Sequence, residues 1–188
     1  MAVLGFGTRC GLLFALMLGC VMTPYACAQQ INEYQMKAAY LYNFAKFVEW
    51  PAQAFKNPHD PISICVLGQN PVFHTLEEVV NGETIEARKL IVRTVSGLDQ
   101  VGDCHILYVG SSDRKYLRSI LRDLKLTGIL TVGEAEGFAA EGGVANFKLE
   151  GNKVRIEINT SAAEQQRLRI SPKLLSLAQI VKSKGEPK

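Results

Sequence analysis

The sequence is poor in the groups from which catalytic and metal sites are built. Only three histidines occur in 188 residues, and they stand far apart without metal-ligand spacing: His59, His74 and His105. Beyond residue 28 no H-x-x-x-H, C-x-x-C, G-x-S-x-G or phosphate-loop pattern occurs. These absences exclude the recognisable zinc, dithiol, serine-hydrolase and nucleotide-loop enzymes. The sequence therefore predicts a protein that is not an enzyme and that uses no cofactor and no metal.

The remaining reactive side chains have ordinary interpretations. His105 follows Cys104, but neighbours on a strand point to opposite faces, so a Cys–His catalytic couple is not expected. Glu134 and Glu136 form an acidic pair in a predicted loop. We interpret both carboxylates as solvent-facing charges.

The chain also lacks an excess of charge of either sign. It has 21 basic and 18 acidic residues, a formal net charge of +3, and no basic run with interleaved aromatic residues. Nucleic acid is therefore not expected as a partner. Arg118 and Arg122, together with Arg114, have the four-residue spacing of a solvated helix face.

Long hydrophobic runs are missing too, except near the amino terminus. The apolar segment 11–22 is shorter than the roughly 20 residues that a membrane-spanning helix needs. Arg9 is the one charged residue before it, and Ala26-Cys27-Ala28 follows with the small-x-small pattern of a signal peptidase site. We predict a secretory signal peptide over residues 1–28, cleaved after Ala28, and therefore an exported protein. The imperfect lipoprotein box that ends at Cys20 leaves lipidation there as the alternative.

Cysteine is scarce once the signal peptide is removed. Three of the five cysteines lie in the segment 1–28, which leaves Cys65 and Cys104. Two cysteines in an exported chain predict a disulfide. The alternative is a pair of small buried strand residues that never meet.

The segment 33–51 is the most aromatic stretch and contains the single tryptophan, Trp50. Its apolar residues recur every three or four positions and predict one face of a helix: Tyr34, Ala38, Leu41, Phe44, Ala45 and Val48. The helix is expected to end near Trp50, because Pro51 disfavours the helical conformation in the residue before it. The polar residues fall mostly off this stripe: Gln35, Lys37, Asn43, Lys46 and Glu49.

The rest of the chain alternates strand and helix patterns. Four buried strands are predicted over 62–67, 89–95, 104–109 and 128–132, with one helix after the first strand and one after the third. A hairpin over 144–158 follows, and then a last helix from Pro172 whose inward residues run to Val181. This order predicts an α/β fold, with a mostly parallel sheet flanked by helices on both faces (three layers), a C-terminal β-hairpin and terminal helices. A flavodoxin-like strand order would make the first and third strands neighbours, and so bring Cys65 and Cys104 close together.

The glycine-bearing loop 133–143 follows a predicted strand. α/β sheets commonly bind ligands where strands end in such loops, so a small-molecule-binding sensor module is the alternative function. Phe138 is expected to anchor the loop.

Several segments together resemble the YfiR family of bacterial periplasmic proteins. They are, in order, EYQMKAAYLYNFAKFVEWP, ISICVLG, CHILYVG, LTVGEAEGFAAEGGVANF and VRIEINTSAAEQQRLRISPKLLSLA. The resemblance covers residues 33–181 and implies a single α/β domain over residues 29–188 that commonly dimerises.

The resemblance also implies a regulatory function. The expected function is binding to the periplasmic sensor domain of an inner-membrane diguanylate cyclase, which represses the cyclase and lowers cyclic-di-GMP signalling and biofilm formation. An OmpA-like outer-membrane lipoprotein that sequesters the repressor is a further implied partner.

The resemblance implies redox sensing through cysteine pairs, and Cys65 and Cys104 match the family's strand cysteines. Ala139 and Asn146 stand where some relatives carry a second pair, so redox control here would depend on Cys65 and Cys104. The polar side of the first helix is the expected partner-binding surface, formed by Asn43, Lys46 and Glu49.

Overall fold

The computed structural model describes residues 25–111, 116–151 and 153–184, with side chains described from Glu33 onward. The helices are α1 (Tyr25–Phe47), α2 (Val72–Val80), α3 (Leu117–Asp123), α4 (Thr160–Gln165) and α5 (Pro172–Leu175). The strands are β1 (Val48–Glu49), β2 (Ile62–Leu67), β3 (Thr84–Ile85), β4 (Arg88–Val95), β5 (Ile106–Val109), β6 (Leu130–Gly133), β7 (Ala145–Glu150), β8 (Lys153–Ile158), β9 (Arg169–Ile170) and β10 (Ala178–Ile180).

Eight of these strands form one sheet in the order β10-β8-β7-β6-β5-β2-β4-β3. Neighbouring strands are parallel except in the pairs β7–β8 and β3–β4. The expected adjacency of the first and third long strands is confirmed, because β2 pairs directly with β5. The predicted hairpin is confirmed in β7 and β8.

Side chains that alternate along β2 enter two separate cores. Ile64 packs in a cluster with Leu41 of α1 and Leu76 of α2. Cys65 belongs to a second cluster with Ile120 of α3. Because successive strand residues point to opposite faces, helices cover both faces of the sheet. The structure therefore confirms the α/β fold and its three layers.

Helix α1 buries the predicted apolar stripe. Its central residues are at most 2% exposed, namely Ala38, Leu41, Phe44 and Ala45. The helix ends at Phe47, slightly before its predicted end near Trp50. It ends there because Val48 and Glu49 pair with β9. Glu49 is therefore a strand residue, and its expected place on the polar side of the helix is wrong.

The loop that follows β6 folds around Phe138, which is fully buried as the sequence predicts. Gly133 and Gly143 lie against the two sides of its ring. A Cβ atom on Gly133 would come within 2.2 Å of the ring, and one on Gly143 within 2.1 Å. Glycine at these two positions lets the loop close directly over the aromatic side chain.

The carboxyl-terminal segment departs from the prediction of one continuous last helix. Helix α5 ends at Leu175, and residues 178–180 form β10, which pairs in parallel with β8. Leu174 is buried as expected, but Leu177 is 67% exposed. The unpaired edge of the hairpin offers backbone hydrogen bonds to this segment, which outweigh its helical periodicity.

Candidate functional site

A disulfide joins Cys65 of β2 to Cys104, which lies just before β5. Their Cα atoms are 5.8 Å apart, a normal separation for a disulfide. Cys65 is 0% exposed and Cys104 is 6% exposed. The bond therefore ties two central, adjacent strands together within the core on the α3 side of the sheet.

Arg93 of β4 lies beside this bond. It is the register partner of Cys65, and its Nη2 atom is 3.7 Å from the Sγ atoms of both cysteines. Its buried Nε atom has no hydrogen-bond partner in the described residues. A guanidinium group thus faces the disulfide, a contact that was not predicted from the sequence.

His105 is held in the layer on the other side. Its Nδ1 atom accepts a hydrogen bond from the Ser63 backbone N–H at 3.2 Å. The Phe55 ring stacks on the imidazole at 4.4 Å, and the Trp50 ring meets it edge-on at 5.9 Å. Burial lowers the pKa of His105, so the ring is neutral at pH 7. Cys104 thus packs in the cluster on the α3 side, whereas His105 contacts two aromatic side chains that pack against the cluster on the α1 side.

A second polar cluster lies at the carboxyl ends of β5 and β6. Glu134 pairs with Lys37, accepts a hydrogen bond from the Tyr108 hydroxyl at 2.6 Å, and accepts one from the Ser111 N–H at 2.8 Å. Lys37 also pairs with Glu33, one helical turn earlier. The side chains of Lys37 and Glu134 are only 7% and 12% exposed. The interpretation of Glu134 as a solvent-facing charge is therefore wrong.

Hydrogen bonds within this cluster keep both Lys37 and Glu134 charged. Burial alone would lower the pKa of Lys37, but its hydrogen bonds with Glu134 and Glu33 raise it. Burial alone would raise the pKa of Glu134, but hydrogen bonds from Lys37 and Tyr108 lower it. Burial and the neighbouring carboxylate raise the pKa of Tyr108 far above its usual range. Tyr108 is therefore a neutral donor, and the other two residues form an ion pair.

The sequence held weak indications of this cluster. Lys37 lies four residues after Glu33 and directly beside the buried Ala38, and Glu134 follows a buried strand without an intervening residue. A charged residue at the end of a buried strand is a candidate either for a ligand-binding site or for a buried ion pair. For Arg93, the sequence indicated only that the residue lies on the strand that follows the strand of Cys65.

The predicted partner-binding residues are only partly brought together. Asn43 is half-buried and Lys46 is exposed, and both lie on α1. Glu49 lies on β1 and faces Arg169 of β9 at 3.8 Å, with both side chains exposed. The Nζ atom of Lys46 lies 5.8 Å from the centre of the Phe47 ring.

Of the two predicted processing sites, Cys20 lies outside the described residues and Ala28 lies near their first residue. Residues 1–24, with Cys20, are outside the described residues. Ala28 lies within the backbone of α1, so cleavage after it would leave the helix to start at Gln29. Across the described ranges, no helix combines the length and apolar character needed to cross a bilayer.

In the part of the chain with described side chains, no three His, Cys, Asp or Glu residues are grouped as metal ligands.

Comparison with solved structures gives remote similarities. A conserved domain protein from Vibrio cholerae O1 biovar eltor str. N16961 is 14% identical with a TM-score of 0.48, over 64% of this chain and 54% of that one. The ABC domain in complex with L-Trp from Streptococcus pneumonia is 9% identical with a TM-score of 0.47, over 64% and 55%. The chain thus spans about half the length of these structures, and likeness at this level carries no functional argument.

Comparison with curated proteins gives no significant match. A family model does match, and it covers residues 34–179, from the middle of α1 as far as β10. The match includes Lys37, Cys65, Arg93, Cys104 and Glu134. The chain belongs to the YfiR/HmsC-like family.

Proposed function

We propose that this protein is a periplasmic repressor that binds the sensor domain of an inner-membrane diguanylate cyclase and lowers cyclic-di-GMP signalling. The observation that carries the proposal is the match of residues 34–179 to the YfiR/HmsC-like family. The predicted signal peptide over residues 1–28 supports a periplasmic location.

Repression in this mechanism is a shift between two states of the sensor. A bound protein shifts such an equilibrium only by its difference in affinity for the two states. The repressor must therefore bind the inactive sensor more tightly, and it has no need to contact nucleotide. The output domain lies across the membrane and responds to the change in the sensor.

The surface proposed for this contact centres on α1 and β1. Lys46 and Lys173 both lie over the ring of Phe47, at 5.8 and 5.0 Å from its centre. Asn43 lies one turn before Lys46, and Glu49 with Arg169 extends the surface. The two lysines favour an acidic patch on the sensor, since opposite charges steer association.

Two further partners are part of the proposal. An OmpA-like outer-membrane lipoprotein would compete with the sensor for the repressor and so release the cyclase. A homodimer would present the sensor-binding surface twice.

A chromosomal deletion tests the function. We expect a strain that lacks this protein to show raised cyclic-di-GMP, and the wild-type gene to restore the low level. Lys46→Glu should restore it less well, with sensor binding about tenfold weaker because an attractive charge becomes repulsive. Lys153→Glu, at an exposed position on the hairpin strand β8, is the matched control and should repress normally. Unchanged cyclic-di-GMP in the deletion strain would refute the repressor function.

One observation favours a small-molecule sensor as a second candidate. A cavity of about 280 Å³ lies at the carboxyl ends of β5 and β6, lined by Lys37, Glu134, Ser111 and Phe147 among others. This is the edge at which α/β sheets commonly bind ligands. Calorimetric titration of the purified protein with the twenty amino acids would show saturable heat for this candidate, and none for a module that recognises protein alone.

A further inference from the structure

A cavity of about 450 Å³ lies between α3, α4 and the loop 133–143, and residues 183–184 also line it. Among the described residues, basic side chains outnumber acidic ones in this lining by four to one: Arg118, Arg122, Lys125 and Lys184 against Glu141. The lining therefore has an excess of three positive charges. Sites for small molecules commonly have volumes of about 300–1,000 Å³. The size and charge of this cavity together favour an anionic small molecule.

Glu141 shows where an anion is held in the cavity. One of its carboxylate oxygens pairs with Lys184, and the other lies 3.3 Å from the Nε atom of Arg118. The glutamate side chain is 18% exposed, whereas the side chains of Arg118 and Lys184 are 84% and 68% exposed. A carboxylate of the chain thus bridges a cation on α3 and a cation on the carboxyl-terminal segment.

Two further cations of the lining are not engaged by Glu141. Arg122 lies one helical turn after Arg118 on α3, and Lys125 follows the end of that helix. The Nε atom of Arg122 is 3.2 Å from Asp123, but both side chains are more than half exposed, so solvent screens this pair. The cavity therefore keeps positive charge for an anion other than Glu141.

The backbone holds Lys184 at the cavity without the help of its ammonium group. The Lys184 N–H donates a hydrogen bond to the Ala140 carbonyl at 2.8 Å. The preceding residue, Ser183, accepts a hydrogen bond from the Asn159 side chain at 2.9 Å. Asn159 is fully buried and also caps α4. The ammonium group of Lys184 therefore stays at the cavity when it exchanges Glu141 for another anion, and such preorganisation lowers the cost of binding.

We propose that this cavity is a binding site for a small molecule that carries a phosphate monoester. Such a group has a charge of about −1.5 to −2 at neutral pH and three strong acceptor oxygens, which match the excess of positive charge better than a monocarboxylate does. Arg118 and Arg122 bind the phosphate oxygens through their planar guanidinium groups. Lys125 and Lys184 add point charges, and the phosphate competes with Glu141 for Arg118 and Lys184.

The phosphate site goes beyond the proposed repressor function and does not depend on it. It lies on the α3 side of the sheet, and its lining includes neither Lys37 and Glu134 nor the residues of the α1 and β1 surface. Binding is a property of the isolated protein. A failure of phosphate binding and a failure of repression are therefore separate results.

Calorimetric titration of the purified protein with glycerol 3-phosphate tests the site. At fixed ionic strength we expect saturable binding to one site per chain, competition by inorganic phosphate, and far weaker binding of acetate. Sedimentation with phosphatidylglycerol vesicles distinguishes a lipid surface, and we expect the protein to stay in the supernatant. The proposal would be overturned by no binding of glycerol 3-phosphate, by equal binding of acetate, or by binding to the vesicles alone.

Variants of the lining test which residues bind the phosphate. Arg118→Gln should weaken binding of glycerol 3-phosphate about tenfold, because a charge-assisted hydrogen bond is lost. Glu141→Gln should strengthen it, because the competing carboxylate is removed. Both side chains can be changed without disturbing the buried core, and circular dichroism checks that each variant is folded.

The matched controls are Arg155→Gln and Glu150→Gln. These residues face each other on the hairpin at 3.7 Å, and the substitutions change the net charge of the protein by the same amounts as those in the cavity. Both controls should bind glycerol 3-phosphate as the wild type does. Equal effects at the hairpin and at the cavity would show general charge attraction and overturn the site. Unchanged binding by Arg118→Gln would also overturn it, and unchanged binding by Glu141→Gln would overturn the competition.

Discussion

Replacing Lys37 with methionine is expected to lower the free energy of unfolding by about 3–5 kcal/mol, the usual cost of removing one partner of a buried ion pair. The lysine side chain is 7% exposed and its partner Glu134 is 12% exposed, so solvent screens the lost interaction little. Among the described residues, Glu134 in the variant would keep the Tyr108 hydroxyl and the Ser111 N–H as donors. Chemical denaturation followed by circular dichroism measures the change.

The matched control is Lys46→Met. Lys46 lies on the same helix but is exposed, and such a substitution usually changes stability by at most about 0.5 kcal/mol. A Lys37→Met protein within about 1 kcal/mol of wild type would contradict the assigned importance of the pair. Glu134→Gln is the reciprocal variant, and a double-mutant cycle would give the coupling energy between the two residues.

The same pair predicts the pH dependence of this contribution. The pKa of Glu134 is lowered from its ordinary value of 4.5, so its stabilisation is complete above that value and is lost as the pH falls through the folded-state pKa. The pKa of Lys37 is raised from 10.5, so its stabilisation is complete below that value and is lost as the pH rises through the folded-state pKa. The difference between wild type and Lys37→Met should therefore be constant around neutral pH and shrink in acid.

Removing the disulfide is expected to have an effect of similar size. The two cysteines are separated by 39 residues, and in the chain-entropy model closing a loop of this length contributes about 4 kcal/mol. The double variant Cys65→Ala with Cys104→Ala should lose about this much stability, as measured by denaturation under non-reducing conditions. Its stability should not respond to added reductant, because no other cysteine remains after the predicted cleavage.

The wild-type protein provides the comparison for the disulfide. Its stability should fall on reduction toward that of the double variant. Equal stability of the oxidised wild type and the double variant would contradict a stabilising disulfide. Single domains are usually stable by about 5–15 kcal/mol. A loss of about 4 kcal/mol on reduction would therefore weaken the fold without abolishing it, which is the partial effect that a regulatory disulfide requires.

The parts of the fold that could be predicted follow from hydrophobic periodicity. The predicted stripe repeats every three or four residues, and its central members on α1 are buried, namely Ala38, Leu41, Phe44 and Ala45. The runs of β-branched residues predicted the central strands. The flavodoxin-like strand order predicted that Cys65 and Cys104 lie close together, and the pairing of β2 with β5 agrees with it. Local pattern decides such features because burying apolar surface is the dominant favourable term in folding.

The parts that could not be predicted depend on pairing between distant segments. Lys37 and Glu134 are 97 residues apart, and each alone has the pattern of a solvated charge. Arg93 faces the disulfide only because β4 is in register with β2. The segment 178–180 has helical periodicity, and only the free edge of β8 makes it a strand. In each case the partner that decides the outcome is absent from the local sequence.

The most direct test of the proposed repression uses purified components. A full-length membrane diguanylate cyclase from the same organism is reconstituted in nanodiscs with GTP on the side of its catalytic domain, and the purified mature protein is added to the side of its sensor domain. We predict that the rate of cyclic-di-GMP formation falls with the concentration of added protein and saturates when the sensor is fully bound. A rate that stays unchanged at concentrations where binding to the sensor is saturated would contradict repression by this protein.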